Sequence, residues 1–233
     1  MKRAFVTGGS KGIGFGIAEA LMKDGYQVAI TGRNIASLDD AVKKLNAMGK
    51  GNAIALVCDV RDYNALKKAV ASTLEEFGGI DVVVANAGLG HFAPVESLTI
   101  EQWNETIDTN LTGVFYTVKA TLPALMESKG YIITISSLAG TNFFSTASAY
   151  NASKFGLTGF TQAIMLDLRK YGIKVTTIMP GSVATEFNGG RTVGDESWKI
   201  QSEDIGQMVS DLLKLNPRTL PSKIEVRPSL PKG

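Results

Sequence analysis

The chain has one cysteine, one histidine and two tryptophans in 233 residues. Cys58 alone cannot close an internal disulfide, so no disulfide framework is implied. It follows the apolar run Ala53–Val57 and reads as a small buried hydrophobe. No cysteine or histidine cluster has metal-ligand spacing, and no metal is expected. Charge of one sign is also scarce. The formal net charge is +2, with no block of like charges and no basic stripe interleaved with aromatics, so no nucleic-acid surface is expected. No apolar run approaches the length that spans a bilayer. Met1–Gly8 carries two charges but too short an apolar stretch for a signal peptide, which makes the cytoplasm the expected compartment.

What the sequence has in quantity is core: 44% of residues are hydrophobic and 20% charged. Short β-branched runs alternate with longer amphipathic ones. The expected strands are Ala4–Thr7, Val28–Thr31, Ile54–Val57, Val82–Ala85, Ile132–Ser136, Val175–Met179 and Ile224–Val226. The helical patterns between the early strands are Ile13–Lys23, Ile35–Met48 and Tyr63–Phe77, where Leu66, Val70 and Leu74 form one apolar stripe. Apolar strands joined by helices predict a parallel sheet covered on both faces, here a Rossmann-type doubly wound α/β fold of seven strands in a single domain spanning residues 1–233. Two longer helices are predicted, Glu101–Met126 with a break or kink at Pro123, and Ala147–Lys170 ending before Gly172. A last helix, Glu203–Leu213, has Ser202 as its expected N-cap. Four of the seven prolines lie in the tail, about 216–233, which should be extended.

Thr7-Gly8-Gly9-Ser10-Lys11-Gly12-Ile13-Gly14 lies directly after the first strand and directly before the first helix. Glycines there allow a tight turn and a close approach of backbone to a pyrophosphate, which would sit at the positive helix N-terminus. At the end of the second strand an acid would bind the ribose hydroxyls of NAD, and an arginine would accept the extra phosphate of NADP. The sequence reads Thr31-Gly32-Arg33-Asn34, with no acid until Asp39. NADP(H) is therefore the expected cofactor, with Arg33 and Lys11 as phosphate partners. The alternative is that both are ordinary surface cations. Tyr150 and Lys154 share one helix face a turn apart, so an ammonium can lie beside a phenol and lower its pKa. Alone, such a pair is as readily two solvated helix residues.

Together these residues resemble the short-chain dehydrogenase/reductase family over most of the chain. Thr7–Gly14 is similar to its TGxxxGxG fingerprint, Asn86-Ala87-Gly88 to its NAG motif and Tyr150–Lys154 to its YxxxK signature. Ser137, thirteen residues before Tyr150, falls at the family's serine position, and Asn110 in Thr109-Asn110-Leu111 at its fourth catalytic position. The resemblance implies that Tyr150 donates a proton to a substrate carbonyl while Ser137 holds the same oxygen. Lys154 would tune Tyr150 and bind the nicotinamide ribose. Asn110 would interrupt its helix and hold a water that links Lys154 to solvent. Cofactor contacts are implied for Gly8, Ser10, Lys11, Gly12, Ile13, Gly14, Arg33, Asp59, Val60, Asn86, Ala87, Gly88, Tyr150, Lys154, Pro180, Gly181, Val183 and Thr185. Substrate contacts are implied for Ser137, Phe143, Phe144 and Phe187, with a short lid at about 186–201 carrying Phe187 and Trp198 around Gly189, Gly190 and Gly194.

Three departures stand out. Ala85 replaces a frequent asparagine, the segment after Thr185 is short, and Ile224-Glu225-Val226-Arg227-Pro228 replaces the usual C-terminal DGG. In many relatives that region builds one of two subunit interfaces, so its departure favours a dimer over a tetramer. The resemblance implies a homodimer or homotetramer built through the helices near 101–126 and 147–170. The leading expectation is NADPH-dependent reduction of a ketone or aldehyde, acting on a small-molecule substrate with neither nucleic acid nor membrane as partner. The competing readings are an NAD-linked alcohol dehydrogenase, disfavoured by Arg33, and an NADP(H) sensor without catalysis, disfavoured by four filled catalytic positions. His91 reads as polar surface.

Overall fold

The computed structural model describes residues 1–187 and 195–230. Seven strands form one parallel sheet: β1 Arg3–Thr7, β2 Gln27–Gly32, β3 Ala53–Val57, β4 Val82–Ala85, β5 Tyr131–Ile135, β6 Lys174–Pro180 and β7 Lys223–Val226. Their order is β3-β2-β1-β4-β5-β6-β7, every neighbouring pair being parallel. The central strands β4 and β5 are buried at every residue because helices cover both faces, which is why they read as unbroken apolar runs. The order reverses between β1 and β4, so the connections leave these two strands in opposite directions and open a crevice at their C-terminal ends.

Two apolar cores lie on opposite faces of the sheet. One packs α1 (Gly12–Lys23), α2 (Ile35–Asn46) and α7 (Ser202–Lys214) against the sheet, with Ile17, Leu21, Leu38 and Ile205 fully buried. The other packs α3 (Tyr63–Phe77), α5 (Gly113–Ser128) and α6 (Ser148–Leu168), with Leu66, Leu125 and Met165 inside. α1 and α7 cross closely. A Cβ on Gly16 would strike the Ser202 carbonyl, and one on Gly206 would strike the Gly16 carbonyl. Glycine at both positions lets two backbones almost two hundred residues apart touch.

Several expectations are corrected. The predicted helix Glu101–Met126 is two, α4 (Ile100–Ile107) and α5, joined by a π-helical turn at Asp108–Thr112 that contains Asn110. Pro123 does not end α5, which continues to Ser128. Pro123 lies on the exposed side of the helix, as does Lys119, whose carbonyl loses its donor and can be hydrated instead. Ser202 is the first helical residue of α7 rather than its cap. Gln201 precedes it, its backbone N–H donating to the Asp204 carboxylate at 2.8 Å. The tail is not extended throughout: it turns at 217–218, where the Thr219 amide donates to the Asn216 carbonyl at 2.8 Å, runs straight as β7 and bends again at 229–230, and residues 231–233 lie outside the described part. No helix among the described residues is long and apolar enough to cross a membrane.

Candidate active site

A cleft of about 1220 Å³ runs along the C-terminal ends of the strands, with the glycine-rich turn at one end and Tyr150 at the other. The glycine turn is latched from β4. Asn86 Nδ2 donates to the carbonyls of Thr7 (2.9 Å) and Gly8 (3.0 Å), while its backbone N–H donates to Thr7 Oγ1 (3.0 Å). Gly14 completes the turn by close approach, since a Cβ there would overlap the Gly8 carbonyl and crowd the Asn86 amide. Lys11, the N-cap of α1, offers no side-chain acceptor to the first helical amides, so these donors and the helix dipole are left for an anion. Gly8, Ser10, Lys11, Gly12 and Ile13 all border the cleft.

The outer rim of this end is a charge network that the sequence does not reveal. Asp59 takes Arg61 through both oxygens, with distances of 2.6 to 3.0 Å, and these bonds hold its carboxyl below the usual range. Glu105, on α4, accepts from His91 Nε2 at 2.9 Å and Arg61 Nη1 at 3.3 Å. Arg33 Nη1 lies 3.6 Å away, with its side chain 61% exposed. The hydrogen bond from His91 comes first, and Arg61 and Arg33 add to it, in holding Glu105 below the ordinary carboxylate range. His91 is thus tied to an acid. Val60, Ala87 and Gly88 also border the cleft, as do Pro180 at the end of β6 and Gly181, Val183 and Thr185 beyond it. The Gly181 amide donates to the Val226 carbonyl at 2.8 Å, so β7 fixes that segment from the sheet edge.

At the other end α6 sets Tyr150 in its first turn and Lys154 one turn later. Lys154 is only 5% exposed. Its Nζ donates to the Ile135 carbonyl at 3.0 Å and stands 5.7 Å from the centre of the Tyr150 ring. Burial disfavours the ammonium and pushes the Lys154 pKa down to about 8. Burial pushes the Tyr150 phenol up, opposed by its hydrogen bond with the Ser137 hydroxyl. The expectation that the ammonium lowers the phenol pKa therefore differs from the free chain, where desolvation dominates and Tyr150 keeps its proton at neutral pH. Ser137 Oγ also accepts from the Ala139 amide at 3.1 Å.

Asn110 is fully buried in the π turn. Its Nδ2 donates to the Leu89 carbonyl (2.7 Å) and Ser153 Oγ (3.0 Å), and its Oδ1 accepts from the Leu89 amide (2.9 Å). A Cβ on Gly88 would lie 3.2 Å from Asn110 Oδ1 and 3.7 Å from Lys154 Nζ, which measures how tightly this corner is built. Asn151 carries no motif signal, yet its Nδ2 donates to the carbonyls of Ala139 (2.8 Å) and Asn142 (2.7 Å) and ties the Ser137 loop to α6. Phe187 borders the cleft, and so does Phe92, which sequence reasoning passed over. Phe144 stands behind Phe92. Phe143 is 86% exposed and outside the cleft lining. Of the expected lid, Gly189, Gly190 and Gly194 lie outside the described residues.

A family model described as short chain dehydrogenase matches residues 2–195. The chain belongs to the short-chain dehydrogenase/reductase family. It is 33% identical to an uncharacterised oxidoreductase of Staphylococcus saprophyticus, over 97% of each chain. It is 35% identical to a trans-4-hydroxycyclohexanecarboxylate dehydrogenase of Sinomonas cyclohexanicum, over 91% of this chain and 84% of the other. An alcohol dehydrogenase from the archaeon Thermococcus sibiricus, solved in complex with 5-hydroxy-NADP, superposes with a TM-score of 0.94 at 29% identity, covering 100% of this chain and 99% of the other. The family's nicotinamide dinucleotide fits what stands here: a turn that admits no Cβ at Gly14, uncapped amides at the start of α1, and a cleft continuous from that turn to Tyr150. A member of this family is an oxidoreductase.

Proposed function

We propose that the protein reduces a ketone or aldehyde to an alcohol at the expense of NADPH. The observation that carries this reading is the trio at one end of the cleft: the Tyr150 phenol, its hydrogen bond with Ser137, and the buried Lys154 with its Nζ 5.7 Å from the phenol ring. A reduced nicotinamide held along the cleft would supply the hydride for the new C–H bond and would itself be oxidised. The chain supplies the proton and the place. Ser137 and Tyr150 converge on the substrate oxygen, so the charge that develops there is met by two fixed donors. Tyr150 O–H breaks as the alcohol O–H forms, and the phenolate is stabilised by the Lys154 ammonium. Lys154 then hands on its proton and is recharged along the buried polar corner that Asn110 closes.

Arg33 supports NADP(H) over NAD(H), because it borders the cleft directly after β2, where the chain carries no acid until Asp39. Its pairing with Glu105 is long and exposed, so giving it up costs little and a phosphate dianion outcompetes it. The 5-hydroxy-NADP held by the Thermococcus relative points the same way. Self-association through α4–α5 and α6 is supported by the half-exposed Trp103, Phe115, Phe155 and Leu166 on those helices. The test is loss of reduced-nicotinamide absorbance with NADPH and NADH in parallel across ketones, aldehydes and oxoacyl thioesters. NADPH consumption well above NADH supports both claims. Binding of NADPH without turnover of any carbonyl returns the chain to the sensor reading.

A further inference from the structure

We infer that the substrate is a neutral carbonyl compound carrying an aromatic ring, an inference that rests on the reductase reading above. Three phenylalanines surround the phenol that would deliver the proton. Phe92 meets Tyr150 edge-on, with ring centres 5.4 Å apart and planes at 60°, and Phe187 does so at 5.8 Å and 63°. Phe144 backs Phe92 at 6.1 Å. The rings converge over Gly90, where a Cβ would come within 2.9 Å of the Tyr150 ring, 3.1 Å of Phe92 and 3.4 Å of Phe187. Yet Phe92, Phe144 and Phe187 remain 46%, 53% and 41% exposed. Aromatic surface left wet beside a half-buried phenol is favourably covered by apolar atoms of a ligand, and rings prefer the edge-on and offset contacts that these walls offer to another ring.

Charge among the described residues at this end disfavours the other class of substrate. Among the described residues, Lys199 is paired with Glu196 at 2.6 Å. Lys154 is committed to the Ile135 carbonyl and to Tyr150. Glu186, beside Phe187, stands in the cleft lining 3.6 Å from Lys11, a pair so exposed that its carboxylate still faces the rim. A carboxylate, or the phosphates of an oxoacyl thioester of coenzyme A, would enter against Glu186 with no free partner among the described residues, and unpaired or like charge in such a site works against binding.

The test uses the full chain saturated with NADPH and a matched set of substrates: methyl phenylglyoxylate, phenylglyoxylate, methyl pyruvate and acetoacetyl-CoA. The expected kcat/KM for methyl phenylglyoxylate exceeds that for methyl pyruvate, which lacks the ring, by about tenfold or more. It exceeds that for the two anionic compounds by a similar margin. Phe92→Ala and Phe187→Ala should each lower the ratio of methyl phenylglyoxylate to methyl pyruvate by about tenfold, with Phe187→Leu intermediate. NADPH affinity, measured by calorimetry on each variant, reports whether the cofactor site survives. An anionic substrate equal to or better than methyl phenylglyoxylate overturns the inference, as does a ratio that the phenylalanine variants leave unchanged. If none of the four is turned over, the reductase reading fails and the slot is judged separately, by calorimetric binding of the ester and the acid to NADP-loaded protein. Tighter binding of the neutral ester upholds the slot, and equal or tighter binding of the acid overturns it.

Discussion

Lys154→Met should make the protein more stable at neutral pH while abolishing its chemistry. The folded chain holds this lysine near 8 rather than 10.5, which corresponds to a folding penalty of about 3 kcal/mol at pH 7. Methionine fills a similar volume without the charge but leaves the Ile135 carbonyl, now 3.0 Å from Nζ, without that donor. The lost bond returns about 1–2 kcal/mol of the gain. The net expectation is about 1–2 kcal/mol of added stability at pH 7, or roughly 2–8 °C in Tm for a domain of this size. The pH dependence identifies the cause. Between about 8 and 10.5 the unfolded wild-type chain binds a proton that the folded one does not, so wild-type stability rises with pH across that window. The advantage of the methionine variant should therefore be full below about 8, shrink above it and give way by about 10.5 to a deficit of about 1–2 kcal/mol, the lost hydrogen bond. Paired thermal and urea unfolding at several pH values is the assay. A variant less stable than wild type at pH 7, by an amount independent of pH, would refute the argument that burial of the ammonium is the dominant energy at this residue.

Three further outcomes follow from the same geometry. Tyr150→Phe should bind NADPH normally by fluorescence titration and lose about a thousandfold or more in kcat, because the proton donor is gone and the fold is not; retained turnover would remove Tyr150 from the mechanism. Arg33→Ser should raise KM for NADPH by about tenfold with little change for NADH, and Glu105→Gln should lower it a few-fold by releasing Arg33 and Arg61; an equal effect on both cofactors would detach Arg33 from the phosphate. Asn86→Ala deprives the Thr7 and Gly8 carbonyls of their donor, which at about 2 kcal/mol should lower Tm by roughly 4–8 °C and weaken NADPH binding. Differential scanning calorimetry with and without NADPH separates the two effects.

The sequence by itself determined the order of strands and helices, the glycine turn and the pairing of Tyr150 with Lys154. Each is a local signal. A parallel sheet buried on both faces writes apolar runs such as Val82–Ala85, and a helix places residues four apart on one face whatever surrounds it. Asn110 was legible through the family pattern, and the structure gives its physical form, a π turn that carries its amide to Leu89 and Ser153. Tertiary structure alone decided the rest. Glu105 gathers His91, Arg61 and Arg33 because the strand order brings the ends of β2, β3 and β4 to one rim, and no spacing in the chain encodes that meeting. Phe143 and Phe144 are neighbours in sequence, but only the backbone path shows that one is open to solvent and the other backs Phe92. Gly16 and Gly206 are ordinary helix glycines until α1 and α7 cross. The sign of the Tyr150 shift also belongs to the fold. A lysine one turn away predicts a lowered pKa, whereas burial, which depends on every element packed around the phenol, raises it.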